Sequence, residues 1–193
     1  MLPNDGIDRQ YGKLDEIRPD HVYRYVFAAS VLKKIRVLDL ACGCGYGSFL
    51  LHGAGNDVTA ADIAPEAIEY AKKNYPGPNY ILTSAEEFYG EFDAIVSFET
   101  LEHLGDPLSF LNRVKAKKII CSVPNEEVTP FNPEKFEKDT YPHRRHYTPS
   151  EFEALLNEAG FNKVAMYSQH HKRDNVHLGS GGMFLIACGE RDG

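Results

Sequence analysis

An apolar strand runs directly into a glycine-rich turn in the segment Val37-Leu38-Asp39-Leu40-Ala41-Cys42-Gly43-Cys44-Gly45-Tyr46-Gly47-Ser48. Glycine is favoured where the backbone must adopt a positive φ or where a ligand must approach the main chain closely. A strand, a glycine turn and the start of a helix, in that order, form the usual cradle for a nucleoside-bearing ligand. The segment therefore predicts one unit of an α/β sheet, with a ligand site at the turn.

The spacing of the glycines indicates which ligand this is. Gly43, Gly45 and Gly47 read G-x-G-x-G, whereas a dinucleotide fingerprint reads G-x-G-x-x-G. Asp39 precedes them near the end of the strand, where a carboxylate would repel a pyrophosphate but attract a cation. S-adenosylmethionine carries a sulfonium and an ammonium against one carboxylate, so the pattern favours it over NAD. An NAD-dependent oxidoreductase is the alternative, and a binding titration with both nucleotides would decide between them.

Two motifs resemble those of a known family. Asp39-x-Ala41-x-Gly43-x-Gly45 resembles the first motif of the Rossmann-like (class I) S-adenosylmethionine-dependent methyltransferases, with Ala41 in place of the usual first glycine. The Glu-x-Leu-Glu-His block at 99–103 resembles the fourth motif of the small-molecule members. The resemblance extends from about residue 20 to the C-terminus and implies S-adenosylmethionine as the cofactor.

Apolar strands alternate with amphipathic helical patterns along the chain, which predicts a doubly wound, mostly parallel sheet. Strands are expected over 35–40, 57–63, 79–83, 92–98, 118–123, 162–168 and 183–188. The segment Thr148-Pro149-Ser150-Glu151 matches a capping box with proline at the first helical position. The family resemblance implies a seven-stranded Rossmann-like sheet with an antiparallel last strand. We predict an irregular N-terminal arm over 1–18 and a single methyltransferase domain over 19–193, with an acceptor-side insertion over 124–147.

The composition excludes several classes of protein. The net charge of −7 argues against a broad face for DNA or RNA. No apolar run approaches the roughly 18 residues of a membrane span, and no signal peptide is visible. Four cysteines without paired C-x-x-C spacing are typical of reduced thiols, which predicts a cytoplasmic protein without a metal site. We expect a small-molecule acceptor as partner and a monomer or homodimer.

Ligands of open α/β sheets bind beyond the carboxyl ends of the strands, so the cofactor contacts are sought there. Asp62 ends the second strand, where a carboxylate can accept both ribose hydroxyls; the alternative is an acid that stabilises a helix N-terminus. The glycines would admit the methionyl part, Asp39 would face its ammonium group, and Ile63 would pack on the adenine. By resemblance, the turn after the third strand contacts the adenine amino group, although adjacent acids on a loop are often merely solvated. The predicted cofactor contacts are Asp39, Ala41, Gly43, Gly45, Asp62, Ile63, Ala85, Glu86, Phe98 and Glu99.

His103 is the candidate catalytic residue. An oxygen or carbon nucleophile must lose its proton, and imidazole suits that task near neutral pH. His103 follows the fourth strand, near the expected position of the methyl group. The alternative is a histidine that orders the loop without touching the substrate, because positioning alone can suffice for methyl transfer.

A basic and aromatic cluster at 141–147 lies between the fifth strand and the capped helix. By resemblance this region builds part of the acceptor pocket, and we predict that His143, Arg145, His146 and Tyr147 bind the acceptor. A solvated basic turn is an equal alternative. A metal site on His143-x-x-His146 lacks an obvious third ligand, so none is predicted.

The sequence thus predicts an S-adenosylmethionine-dependent methyltransferase that acts on a small molecule, at a hydroxyl group of a sugar or of a phenol or quinone. The helix at 23–29 resembles that of enzymes of surface-glycan or sugar modification, and the block at 99–103 resembles that of quinone-biosynthesis enzymes. The alternative from another class is a domain that binds S-adenosylmethionine or S-adenosylhomocysteine without methyl transfer, as a regulatory or interaction subunit. An acceptor pocket that is filled or absent would indicate it.

Overall fold

The computed structural model describes residues 10–137, 139 and 142–191. The first nine residues of the predicted arm and the last two of the predicted domain lie outside this range. So does Tyr141 of the basic cluster. Within the described part of the chain, no helix combines the length and the apolar character that a membrane crossing requires.

Helices and strands alternate along most of the chain, as the sequence predicts. The helices are α1 (Pro19–Val31), α2 (Tyr46–Gly53), α3 (Pro65–Asn74), α4 (Pro107–Arg113) and α5 (Pro149–Glu158). The strands are β1 (Arg36–Leu40), β2 (Asp57–Asp62), β3 (Asn79–Leu82), β4 (Gly90–Phe98), β5 (Val114–Pro124), β6 (Phe161–Gln169), β7 (His177–Leu178) and β8 (Phe184–Arg191). The capping box is confirmed, because the Thr148 hydroxyl accepts from the Glu151 N–H and the Glu151 carboxylate accepts from the Thr148 N–H.

The strands form one sheet in the order β3-β2-β1-β4-β5-β8-β6-β7. The strands from β3 to β5 pair in parallel, and β8 is antiparallel to both β5 and β6. The predicted sheet with an antiparallel last strand is therefore confirmed. The structure adds an eighth strand, β7, which has only two residues, both exposed, and pairs with β6. Two residues are too short a run to show an alternating pattern in the sequence.

The core lies on both faces of the sheet because successive strand residues point to opposite sides. Leu38 of β1 packs with Phe110 and Phe152 of α4 and α5 on one face. Its neighbour Val37 packs with Tyr25 of α1 and Ile68 of α3 on the other. The described residues of the N-terminal arm are irregular and rest on α3, where the Tyr70 hydroxyl accepts from the Gly12 N–H at 3.1 Å.

The order of the strands determines where a ligand can bind. The chain winds outward from β1 through β2 to β3 and then returns to the other side of β1 with β4 and β5. The loops that follow β1 and β4 therefore diverge and leave a crevice beyond the carboxyl ends of these strands. The predicted site residues follow the strands β1 to β5.

Candidate active site

A cavity of about 780 Å³ opens at this crevice. Its volume lies in the range of about 300–1,000 Å³ that is usual for small-molecule sites. We call the part beyond β1, β2 and β3 the glycine end; its lining includes Ala41, Gly43, Asp62, Ile63, Ala85 and Glu86. We call the part beyond β4 and β5 the histidine end; its lining includes His103, Phe136, His143, Arg144 and His146.

The three positions after β1 are occupied by glycine for different structural reasons. A Cβ atom placed on Gly45 would lie 2.5 Å from the Ala71 Cβ, and one on Gly47 would lie 2.1 Å from the Tyr25 ring. A Cβ on Gly43 would meet no atom of the described residues within 4 Å, although its φ is +54°. Gly45 and Gly47 are thus required by packing within the protein, whereas Gly43 presents bare backbone to the cavity. Gly45 does not line the cavity, in contrast to Gly43.

Asp62 holds the glycine turn in place. One carboxylate oxygen accepts from the Gly43 N–H and the other from the Ala64 N–H, both at 2.9 Å. Asp62 also lines the cavity, so its carboxylate lies at a surface that a ligand can reach. The two interpretations made from the sequence, a ribose contact and an acid that stabilises a helix N-terminus, are therefore compatible in this geometry.

Asp39 lies behind the turn rather than in the cavity lining. It is fully buried, and its carboxylate accepts from the Tyr25 hydroxyl at 3.0 Å and from the Ser48 hydroxyl at 2.5 Å. Burial raises the pKa of Asp39 to about 7, and the nearby Asp62 carboxylate adds to the rise. The predicted contact with the ammonium group stays a prediction, and the structure shows that Asp39 links α1, β1 and α2.

The other predicted cofactor residues are found at the cavity. Those that line it are Ala41, Ile63, Ala85, Glu86, Phe98 and Glu99. Ile63 is 42% exposed, which leaves its side chain available to a flat ring. Two of these residues have a left-handed backbone, with φ of +58° at Ala41 and +50° at Glu99. Such strain in residues with a side chain is concentrated at functional sites.

Arg24 of α1 is a cavity residue that the sequence analysis missed. Its guanidinium is 1% exposed and donates to the Ser122 hydroxyl at 3.0 Å. It also pairs with Glu99 at 2.9 Å and with Asp20 at 3.3 Å. The i, i+4 spacing of Asp20 and Arg24 on a predicted helix was the available signal. Arg24 thereby joins α1 to the ends of β4 and β5.

The histidine end is built from two segments that are distant in sequence. Glu102 and His103 follow β4, and His143 and His146 belong to the connection between β5 and α5. The Arg144 N–H donates to the Glu102 carbonyl, and its guanidinium donates to the His103 carbonyl, both at 2.9 Å. These bonds hold the connection against the loop after β4.

Glu102, His103 and His143 form a compact group in which one ligand atom of each lies within 4.8 Å of the others. Glu102 is fully buried, and both of its carboxylate oxygens lack a hydrogen-bond partner in the described structure. Burial raises its pKa well above the usual range, and the Glu99 carboxylate raises it further. Burial, with smaller effects of His103 and His146, lowers the pKa of His143 to about 3, so that ring is neutral at neutral pH.

The predicted acceptor residues divide into two pairs. His143 and His146 line the cavity, as does the predicted catalytic His103. Arg145 and Tyr147 are not among the lining residues. The Arg145 guanidinium donates to the carbonyls of Leu104 and Gly105, and the buried Tyr147 hydroxyl donates to the Leu101 carbonyl. In this geometry both anchor the connection.

Glu102 is the second residue that the sequence analysis missed. It stands inside the Glu-x-Leu-Glu-His block, so its position was visible, but its burial was not. The connection also contributes Phe136, whose ring stacks on His143 with centroids 4.1 Å apart and an interplanar angle of 7°. This pairing depends on the path of the connection and could not be predicted from a local pattern.

The chain is similar to known methyltransferases over most of its length. A methyltransferase-domain family model matches residues 16–166. A ubiquinone biosynthesis O-methyltransferase of Xanthomonas campestris pv. campestris is 31% identical over 181 aligned positions, covering 80% of this chain and 72% of the relative. A protein of the same name from Dinoroseobacter shibae is 28% identical and covers 78% of this chain and 73% of its own length.

Solved structures share the fold at low sequence identity. An S-adenosylmethionine-dependent methyltransferase of Thermotoga maritima superimposes with a TM-score of 0.73 at 19% identity, over 90% of both chains. Magnesium protoporphyrin IX methyltransferase of Synechocystis, solved with bound S-adenosylmethionine, gives a TM-score of 0.63 at 17% identity, over 89% of this chain and 77% of that one. These likenesses concern the architecture of the sheet and its helices.

Proposed function

The chain belongs to the S-adenosylmethionine-dependent methyltransferases, and from that premise we propose that it methylates a hydroxyl group of a small aromatic acceptor. The named relatives are O-methyltransferases, which supports oxygen as the atom that receives the methyl group. A small phenol or quinol is the acceptor that we infer for this chain. Action in the cytoplasm as a monomer or homodimer stays a prediction.

The glycine end is proposed to hold S-adenosylmethionine. Gly43 offers open backbone, and Asp62, which accepts a hydrogen bond from that backbone, lines the cavity where the ribose hydroxyls would lie. Ile63 and Ala85 supply apolar surface for the adenine. When bound, the cofactor supplies a methyl group on a cationic sulfur. A deprotonated acceptor oxygen bonds to the methyl carbon in line with the methyl–sulfur bond, which breaks and leaves S-adenosylhomocysteine.

The histidine end is proposed to hold the acceptor, and its aromatic wall is the observation that carries the choice of a flat ring. Phe136 stacks on His143, and its ring also lies 5.8 Å from that of Phe131. Leu104, Pro142 and Phe184 add apolar surface to the lining. A sugar needs many hydrogen-bonding groups, but Arg144 and Arg145 already donate to backbone carbonyls. These features favour a phenolic ring over a sugar.

The protein's chemical task is to position the acceptor and to remove its proton. Methyl transfer from a sulfonium depends mainly on orientation and on the exclusion of water. His103 lines the histidine end, and its ring lies 4.5 Å from that of His143, centroid to centroid. We assign removal of the acceptor proton to this imidazole.

The test is a turnover experiment with S-adenosylmethionine and matched acceptors. A panel of mono- and dihydroxybenzenes, simple sugars and aromatic amines would be incubated with the protein, and S-adenosylhomocysteine and the methylated product would be measured by mass spectrometry. We expect O-methylated phenols, and we expect His103→Gln to lower kcat about 10²–10⁴-fold with an unchanged cofactor Kd. His171→Gln, an exposed position outside the cavity lining, is the matched control. Products methylated only on sugar or nitrogen would contradict the proposal.

A further inference from the structure

The described part of the N-terminal arm lies along the rim of the cavity. Gln10, at its start, and Arg18, directly before α1, both line the cavity, so the residues between them pass along its edge. We call residues 10–17 the strap. We propose that the strap is the outer wall of the cofactor site, that Tyr70 and Tyr75 hold it closed, and that cofactor and product exchange only when it opens.

Tyr11 packs the strap onto the two segments that form the glycine end. Its ring packs against a small apolar cluster made of Cys44, from the glycine turn, and of Ala64 and Ala67, at the start of α3. It also meets the Tyr70 ring edge to face, with centroids 5.1 Å apart and an interplanar angle of 87°. Cys44 lines the cavity as well, so the strap closes beside the turn at which the ligand would lie.

Two tyrosine hydroxyls hold the strap at a single residue, Gly12. The Tyr75 hydroxyl donates to the Gly12 carbonyl at 2.5 Å, and the Tyr70 hydroxyl accepts from the Gly12 N–H at 3.1 Å. The φ of Gly12 is +141°, a conformation that residues with a side chain rarely adopt. Burial raises the pKa of Tyr75 to about 12, so its hydroxyl remains a donor at neutral pH. Both polar backbone groups of Gly12 are thus held from the end of α3.

The contact between the strap and α3 is otherwise incomplete. A second cavity, of about 530 Å³, is lined by residues 12–15 of the strap and by Tyr70, Asn74 and Tyr75. At the other end of the strap, the side chain of Ile17 is buried in the core. A segment that is fixed at one end and held by a few hydrogen bonds at the other can open without unfolding of the domain.

Tyr80 of β3 connects the strap's attachment point with the glycine turn. Its hydroxyl lies 2.7 Å from the Tyr75 carbonyl and 3.3 Å from the Gly45 carbonyl, and it can donate to either. Tyr75 is therefore fixed relative to the turn at which the cofactor would bind. The strap and the glycine turn form one continuous wall, and opening at Gly12 leaves the turn itself in place.

This arrangement affects the rates of cofactor exchange more than the affinity. The strap is closed in the chain without ligand, and we infer that it is also closed in the complex. Association and dissociation then both require it to open, as for other loops that close over a ligand. Weakening the closed state would raise both rates, and the equilibrium constant would change little.

The experiment measures binding of S-adenosylhomocysteine to the immobilised full chain by surface plasmon resonance. In the double variant Tyr70→Phe, Tyr75→Phe, which keeps both rings, we expect kon and koff each to rise about tenfold because two hydrogen bonds are lost. Tyr89→Phe, at a position 80% exposed and outside the cavity lining, is the matched control and should change neither rate. Unchanged rates in the double variant would overturn the proposal. Faster dissociation with unchanged association would also overturn it, because the strap would then be a contact and not a barrier.

Amide hydrogen exchange of the ligand-free chain, followed by mass spectrometry, tests the opening without depending on a variant that must fold. We expect the strap to exchange much faster than β1 in the natural chain, because it opens locally. In the double variant, exchange should rise about tenfold further in the strap alone. Exchange of the strap at the rate of β1 would contradict the proposal. Neither measurement contains an acceptor, so this proposal and the phenolic acceptor fail independently.

Discussion

At the glycine end of the cavity, the carboxylate oxygens of Asp39 and Asp62 all accept hydrogen bonds from the protein, whereas at the histidine end both oxygens of Glu102 lack a partner in the described structure. The glycine end is complete without a ligand, and its main free surface is the backbone at Gly43. The histidine end contains a buried carboxyl group without a hydrogen-bond partner in the described structure, and burial raises its pKa well above the usual range. The two ends therefore differ in how far the protein itself satisfies their buried carboxyl groups.

The largest effect is expected on removal of Arg24, which connects α1 to the histidine end. Arg24→Met would leave the buried Asp20 without this partner and would also release Glu99. We expect the free energy of unfolding to fall by about 3–5 kcal/mol, as for other broken buried pairs. Urea denaturation followed by circular dichroism measures this change. Arg36→Met, which removes an exposed pair with Asp93, is the matched control and should cost less than about 1 kcal/mol.

A pair of glycine substitutions separates packing from ligand binding at the glycine end. Gly45→Ala would combine a left-handed backbone with a Cβ contact of 2.5 Å, and it should destabilise the fold by about 2–4 kcal/mol. Gly43→Ala has the backbone penalty alone and should cost about 1 kcal/mol. Its methyl group would enter the space that we propose for the cofactor, so S-adenosylhomocysteine should bind at least about tenfold more weakly by calorimetry. Equal destabilisation by the two substitutions would show that the turn is not packed as described.

The smallest effect is expected at Ala41, the position where the first motif departs from the family pattern. Its φ of +58° places an alanine in the left-handed region. Ala41→Gly should therefore raise the free energy of unfolding by up to about 1 kcal/mol, because glycine relieves the strain at some cost in chain entropy. Denaturant titration of the chain without ligand measures it. A loss of stability would indicate that the alanine methyl group contributes packing that outweighs the strain.

The features that could be predicted from the sequence are those that depend on residues close together in the chain. The glycine turn, Asp62 and the capping box at Thr148 depend on short-range spacing, which determines local geometry, and these elements lie where they were predicted. The sheet followed from the alternation of strands and helices. The predicted cofactor residues mostly line the cavity because strand ends converge in any such sheet.

What could not be predicted depends on contacts between distant segments. The burial of Glu102 results from the way the connection after β5 folds over the loop after β4, and no local pattern carries that information. Arg24 lies on the buried face of α1, although a long charged side chain is usually solvated. Arg145 and Tyr147 have the residue types of a binding site, but their partners are backbone carbonyls. A third side chain near His143 and His146 was not evident from the sequence, whereas the fold brings Glu102 and His103 close to His143. The absence of a metal stays a prediction.

The insertion of β8 between β5 and β6 has a consequence for how the protein is made. On a ribosome, β5 and β6 emerge before the strand that joins them, and until β8 arrives each has a free edge of N–H and C=O groups. Free edges pair readily with strands of other chains. A nascent or truncated chain that ends before residue 184 is therefore exposed to aggregation, and β8 removes this exposure when it pairs with both edges.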